Sequence, residues 1–235
     1  MASALPLSGL DSWRIYLGLP MTGSRMPAGG PDELMRLGYE DALLNLQGPI
    51  SDRAAAEFEP AFAELRERFG LGAGPLGLVG GSIGAAVAEL VMAEHQVQVD
   101  AAVLISPVVR MRSVVEAMER RFGVDYPWSD ASHAVADRLD FVTRVDELAK
   151  RDAAILLVVG EEDDGTGFRE PAGELRAALA ERVEDPRRVA LTMIPGMEHA
   201  LAEEPGVEPA PQTAAAAEVD RLAVEWFRRY LGDVS

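Results

Sequence analysis

Four short, nearly unbroken apolar runs constrain this chain more than any other feature: PLGLVG (75–80), DAAVLIS (100–106), AAILLVVG (153–160) and RVALTMI (188–194). A strand with one wet face alternates apolar and polar residues, whereas a run apolar at almost every position needs cover on both faces, as in a parallel sheet. A fifth run, WRIYLG (13–18), also reads as a strand. Between the runs, apolar residues recur at three- and four-residue spacing, which predicts helices at 31–46, at 51–69 beyond a break at Gly48-Pro49, and at 84–95, 107–122, 131–150, 171–183 and 213–231. Strands alternating with helices imply an α/β fold with right-handed crossovers. The last helix carries Val219, Leu222, Ala223, Trp226 and Tyr230 on one stripe, which is expected to pack on the sheet.

A chain of 235 residues, 48% hydrophobic, can bury one substantial core, so a single domain over 1–235 is expected. The stretch EEPGVEPAPQT (203–213) reads as a lead into the C-terminal helix rather than as a domain linker. With 22 basic and 39 acidic residues the net charge is −17, a field that repels phosphates and anionic headgroups. Nucleic acid and membrane are therefore not expected as partners. The absence of cysteine excludes disulfides, thiolate nucleophiles and cysteine-ligated metals, and no metal or cofactor is expected. The start MASALPLSGLDSWRIY lacks the basic opening and long apolar core of a signal peptide, which sets a cytoplasmic location as the expectation.

Open parallel sheets carry their reactive residues in loops beyond the carboxyl ends of the strands. Three such loops stand out. Ser82 lies in GGSIG after PLGLVG, four carboxylates lie in GEEDD after AAILLVVG, and His199 lies in PGMEHAL after RVALTMI. In a chain with 22 glycines, Gly-x-Ser-x-Gly arises by chance about 0.1 times, so the motif needs its context. Here an apolar run precedes it and an alanine-rich helix follows, with Gly80 and Gly84 placed to let strand and helix approach closely. A serine hydroxyl needs a general base near neutral pH, and His199, on the loop past the last strand, is suited to supply it. His95 closes a helix and reads as surface structure, and His133 reads as a solvated helix position. GAGPLG (72–77) matches a dinucleotide fingerprint formally but precedes a strand instead of following one, which excludes that function.

The order of Ser82, the acidic loop and His199 on successive strand ends resembles the α/β-hydrolase superfamily, in particular small esterases, dienelactone hydrolases and prolyl-oligopeptidase-like members. The resemblance implies a reduced, mostly parallel sheet flanked by helices. It places the acid three residues after the glycine that ends its strand, hence Asp163 after Gly160, with Asp164 as the alternate. Dienelactone hydrolases use a cysteine nucleophile, which this chain lacks. The chemistry implied is acyl transfer through an acyl-serine, acting on a small carboxylic ester or thioester. The oxyanion would meet the Ile83 N–H and a second donor from GLPMTGSR (18–25), either Leu19 or Met21, since Pro20 has no N–H. Residues 107–150 are long enough for a small helical lid, with Met111, Met118, Tyr126 and Trp128 available to an acyl pocket and Arg110 and Arg112 to ion pairs or an anionic substrate. The rival expectation is a non-catalytic protein of the same fold that binds a ligand or a partner.

Overall fold

The computed structural model describes residues 1–202 and 211–232, so most of the segment 203–213 falls outside the described residues. The four continuous apolar runs become β1 (Gly77–Gly81), β2 (Ala101–Ile105), β3 (Ala154–Gly160) and β4 (Val189–Ile194). They form one sheet in the order β1-β2-β3-β4, with every neighbouring pair parallel. Both central strands are buried along their whole length, which is why their sequences show no alternation.

Alternate residues of β2 and β3 feed two cores. Ala102, Leu104, Ile155, Leu157 and Val159 face one, shared with α3 (Ile83–Glu94) and α7 (Glu170–Ala180). Ala101, Val103, Ile105, Leu156 and Val158 face the other, covered by α8 (Ala214–Leu231) and by Leu5 and Leu7. The stripe expected on the last helix is in place: Val219, Ala223 and Trp226 are buried, Leu222 and Tyr230 pack beside them, and the Trp226 indole N–H donates to the Ala154 carbonyl at 3.2 Å. Burying a ring such as Phe227 on this face contributes about 2 kcal/mol.

Three expectations are corrected. WRIYLG forms no strand; residues 13–18 are irregular, and Trp13, Ile15, Tyr16 and Leu17 are all exposed. The segment is held by side chains instead: the Tyr16 hydroxyl donates to the Leu5 carbonyl, Arg14 donates to the Leu7 carbonyl, and Trp13 leans on Phe69 with ring centroids 5.7 Å apart. A strand signal is local, but a strand exists only where a partner's backbone accepts it, and β1 remains the edge of the sheet. The long helix expected at 131–150 is two helices, α5 (Asp130–Arg138) and α6 (Val145–Ala149), because Leu139 and Phe141 are drawn into the core between them. The break expected at Gly48-Pro49 is absent. A wide turn over 43–47 joins α1 (Gly30–Ala42) to α2 (Gly48–Phe69), and Pro49 sits in the first turn of α2.

Residues 107–150 also contain α4 (Met111–Phe122), and Met111, Val115, Leu139, Phe141, Val145 and Leu148 belong to the same core as the sheet. One buried group there has no obvious packing logic. Glu89, in α3, is fully buried, neither of its carboxyl oxygens has a hydrogen-bond partner among the described residues, and burial pushes its pKa well above the usual carboxylate range.

Candidate active site

β1 turns into α3 without a loop. A Cβ on Gly80 would lie 2.2 Å from the Gly84 carbonyl oxygen, so only glycine lets strand and helix come this close. Ser82, between them, has φ 50° and ψ −120°, strained for a residue with a side chain, and its N–H donates to the Ile105 carbonyl at 2.9 Å. The turn leaves the hydroxyl at the carboxyl end of the sheet. Ile83 opens α3, so its N–H has no intrahelical acceptor and lies at the positive end of the helix.

The loops after β3 and β4 meet this turn. Gly160, the last residue of β3, packs so closely on the histidine loop that a Cβ there would lie 2.0 Å from the Met197 carbonyl oxygen. Gly196, at φ 68°, makes the turn that brings the loop round. His199 Nε2 lies 2.9 Å from Ser82 Oγ, and His199 Nδ1 lies 2.9 Å from Asp163 Oδ2. A carboxylate only accepts, so this chain of contacts puts the ring proton on Nδ1 and leaves Nε2 to accept from the serine hydroxyl. The Asp163 side chain is 3% exposed, and its other oxygen accepts the Asp164 N–H at 2.8 Å.

Of the four carboxylates in the acidic loop, Asp163 meets His199. Asp164 turns the other way: its Oδ1 accepts the Gly167 N–H at 2.7 Å, capping the turn over 165–169, and pairs with Arg120 at 3.3 Å. Phe168, in that same turn, packs its ring 4.2 Å from the His199 ring. Sequence reasoning missed Phe168, and nothing in GEEDDGTGFR marks it beforehand, since its contact depends on where the histidine loop comes to rest.

The remaining candidates lie as follows. The 18–25 loop reaches the strand-to-helix elbow at Ser82: Leu19 Cδ1 is 3.8 Å from the position a Gly84 Cβ would take, Pro20 is buried, and Met21 holds a left-handed φ of 61°. Met111 is buried in the core, and Met118 is exposed on α4. Tyr126 and Trp128 pack edge to face at 4.9 Å. Burial, together with the hydrogen bond its hydroxyl donates to Asp41, pushes the Tyr126 pKa up to about 12. Trp128 stacks on His133 at 4.9 Å with the Arg112 guanidinium 4.6 Å over its ring. His133 is thus half-buried against an aromatic face rather than free on a wet helix. Arg110 pairs with Glu174 and Asp140, and Arg112 with Asp137. His95 ends α3 beside Glu59. Among the described residues no three His, Asp or Glu side chains gather as metal ligands would, and no helix is long and apolar enough to cross a membrane.

The fold recurs in solved structures. An esterase of Pyrococcus furiosus superposes with a TM-score of 0.51 at 14% identity, over 76% of this chain and 62% of that one. A puromycin-hydrolyzing peptidase of Mycobacterium tuberculosis superposes with a TM-score of 0.53 at 19% identity, over 83% of this chain and 28% of that one. A puromycin hydrolase gives 0.55 at 18% identity, over 82% and 27%. At these identities the likeness is one of fold, and this chain spans less than two thirds of each of these proteins. No curated protein matches the chain in sequence. Residues 46–233 match the prolyl oligopeptidase family, and with a parallel sheet flanked by helices in common with those structures, the chain belongs to that family of serine hydrolases and has the α/β-hydrolase fold.

Proposed function

We propose that this chain hydrolyses a small carboxylic ester or thioester through an acyl-serine, with Ser82 as nucleophile, His199 as general base and acid, and Asp163 as the group that orients the imidazole. The observation that carries the reading is the continuous path from Ser82 Oγ to His199 Nε2 and from His199 Nδ1 to the buried Asp163 carboxylate, each step 2.9 Å. As Ser82 Oγ attacks the substrate carbonyl, its proton passes to His199 Nε2, and the imidazolium that forms lies against Asp163. The new oxyanion meets the Ile83 N–H, with Leu19 or Met21 as the second donor; losing one such donor typically slows turnover about 10²- to 10³-fold. The tetrahedral intermediate collapses, His199 returns the proton to the leaving oxygen or sulfur, and a water activated by the same imidazole releases the acid and regenerates Ser82.

A fluorophosphonate probe tests this directly. Wild type is expected to take the label and Ser82→Ala to take none, with hydrolysis of short p-nitrophenyl esters lost in parallel. No labelling and no ester hydrolysis by wild type would instead favour a ligand- or partner-binding protein of this fold. Membership of the prolyl oligopeptidase family supports a second reading, hydrolysis of a peptide bond. Comparing p-nitrophenyl esters with aminoacyl-p-nitroanilides separates the two, and faster turnover of the anilides would favour the peptidase.

A further inference from the structure

Ser106 follows the last residue of β2, is 1% exposed, and holds a left-handed backbone with φ 41°. Residues with a side chain seldom adopt that conformation outside places where surrounding structure imposes it. One strand away, Ser82 does the same at φ 50°. Gly81 pairs with Ile105 in the β1–β2 register, so the two strained serines end neighbouring strands side by side.

A single peptide group links them to the acid-bearing strand. The Ile105 carbonyl accepts the Ser82 N–H at 2.9 Å, and the N–H on the other side of that same peptide, from Ser106, donates to the Val158 carbonyl of β3 at 2.7 Å. Two residues on, β3 ends at Gly160, against which the histidine loop is packed, and Asp163 follows. Any rotation of the Ile105–Ser106 peptide therefore loosens the elbow and the acid strand together. The Ser106 hydroxyl has no hydrogen-bond partner among the described residues, although buried polar groups nearly always have one.

We infer that Ser106 is a positioning residue: its left-handed backbone orients the Ile105–Ser106 peptide, and that peptide sets the spacing between Ser82 and the end of β3 that carries Asp163. The inference rests on the reading of Ser82, His199 and Asp163 as the catalytic groups. It acts through the backbone, so glycine and alanine separate its parts. Ser106→Gly removes the strain and leaves the torsion free. It is expected to melt no lower than wild type, yet to lose about tenfold in kcat and in the rate of fluorophosphonate labelling, with KM within about twofold, since small misplacements of reacting groups carry penalties of this order. Ser106→Ala keeps the Cβ that restricts the torsion and is expected to stay within about threefold of wild type.

Ser106→Gly that labels and turns over at the wild-type rate overturns this proposal while leaving the Ser82 reading intact. So does Ser106→Gly that melts lower and loses kcat and gains KM in step, because that pattern assigns Ser106 to folding alone. Wild type that takes no label overturns the triad reading and this inference with it.

Discussion

At the residue scale, the two neighbouring aspartates show how little sequence position says about role. Asp163 is buried against His199, whereas Asp164 caps a turn and meets Arg120. Asp163→Asn is expected to lower kcat by about 10³-fold or more, because an amide at that position reverses the preferred ring tautomer. Asp164→Asn loses an exposed ion pair but keeps an amide oxygen that can cap the turn, and it is expected to stay within about tenfold. Steady-state kinetics on a p-nitrophenyl ester checks both, and equal mild losses would refute the assignment. Glu89 supplies a stability test. Its pKa is raised in the folded state by burial, so the folded protein holds its proton above the ordinary value of 4.5 while the unfolded chain releases it. Unfolding then releases a proton, and stability falls as pH rises from about 4.5 through the folded-state pKa. Melting temperatures of Glu89→Gln are expected to exceed those of wild type increasingly as pH is raised, with the two converging near pH 4.5. Parallel pH dependences would show that Glu89 finds a partner in solution.

At the scale of elements, the site is three strand ends held by close backbone contact. Ser82 and His199 were legible in the sequence because an apolar run followed by a Gly-bounded serine, and a histidine just past the last strand, are local patterns with a fixed place in a parallel sheet. The packing that brings them together was not. Gly160 touches the Met197 carbonyl only after β3 and β4 have paired, and Gly160→Ala would force that carbonyl away. Its expected effect is a loss of about 10²-fold in kcat/KM from displacement of His199, with Ser82 still able to bind the probe slowly; unchanged kinetics would show that the histidine loop is held elsewhere. WRIYLG failed as a strand for the complementary reason. Its apolar residues make a convincing local signal, but among the described residues no neighbouring backbone takes up its N–H and C=O groups as a ladder, and its side chains tie it to residues 5, 7 and 69.

At the scale of the whole molecule, the charge of −17 is the long-range feature a substrate meets first. Glu161, Glu162 and Glu198, which adjoin Asp163 and His199 in the chain, are all exposed. A cationic ester is therefore expected to show a higher kcat/KM than an anionic one of the same acyl length, and added salt should narrow the gap by screening. Rates that do not move between about 0.05 and 0.5 M salt would mean that the local ion pairs, not the summed field, control entry.

The sequence by itself determined the class of fold, the identities of Ser82 and His199 as candidate reactive groups, and the exclusion of thiol chemistry, because each follows from composition or from periodicity within a short window. Only the tertiary structure decided which aspartate hydrogen-bonds His199, that Phe168 packs on its ring, that residues 13–18 stay outside the sheet, and that one peptide at the end of β2 joins the Ser82 turn to β3. Those outcomes depend on hydrogen bonds and contacts between segments far apart in the chain, and a local pattern carries no information about which of its neighbours will be there to complete them.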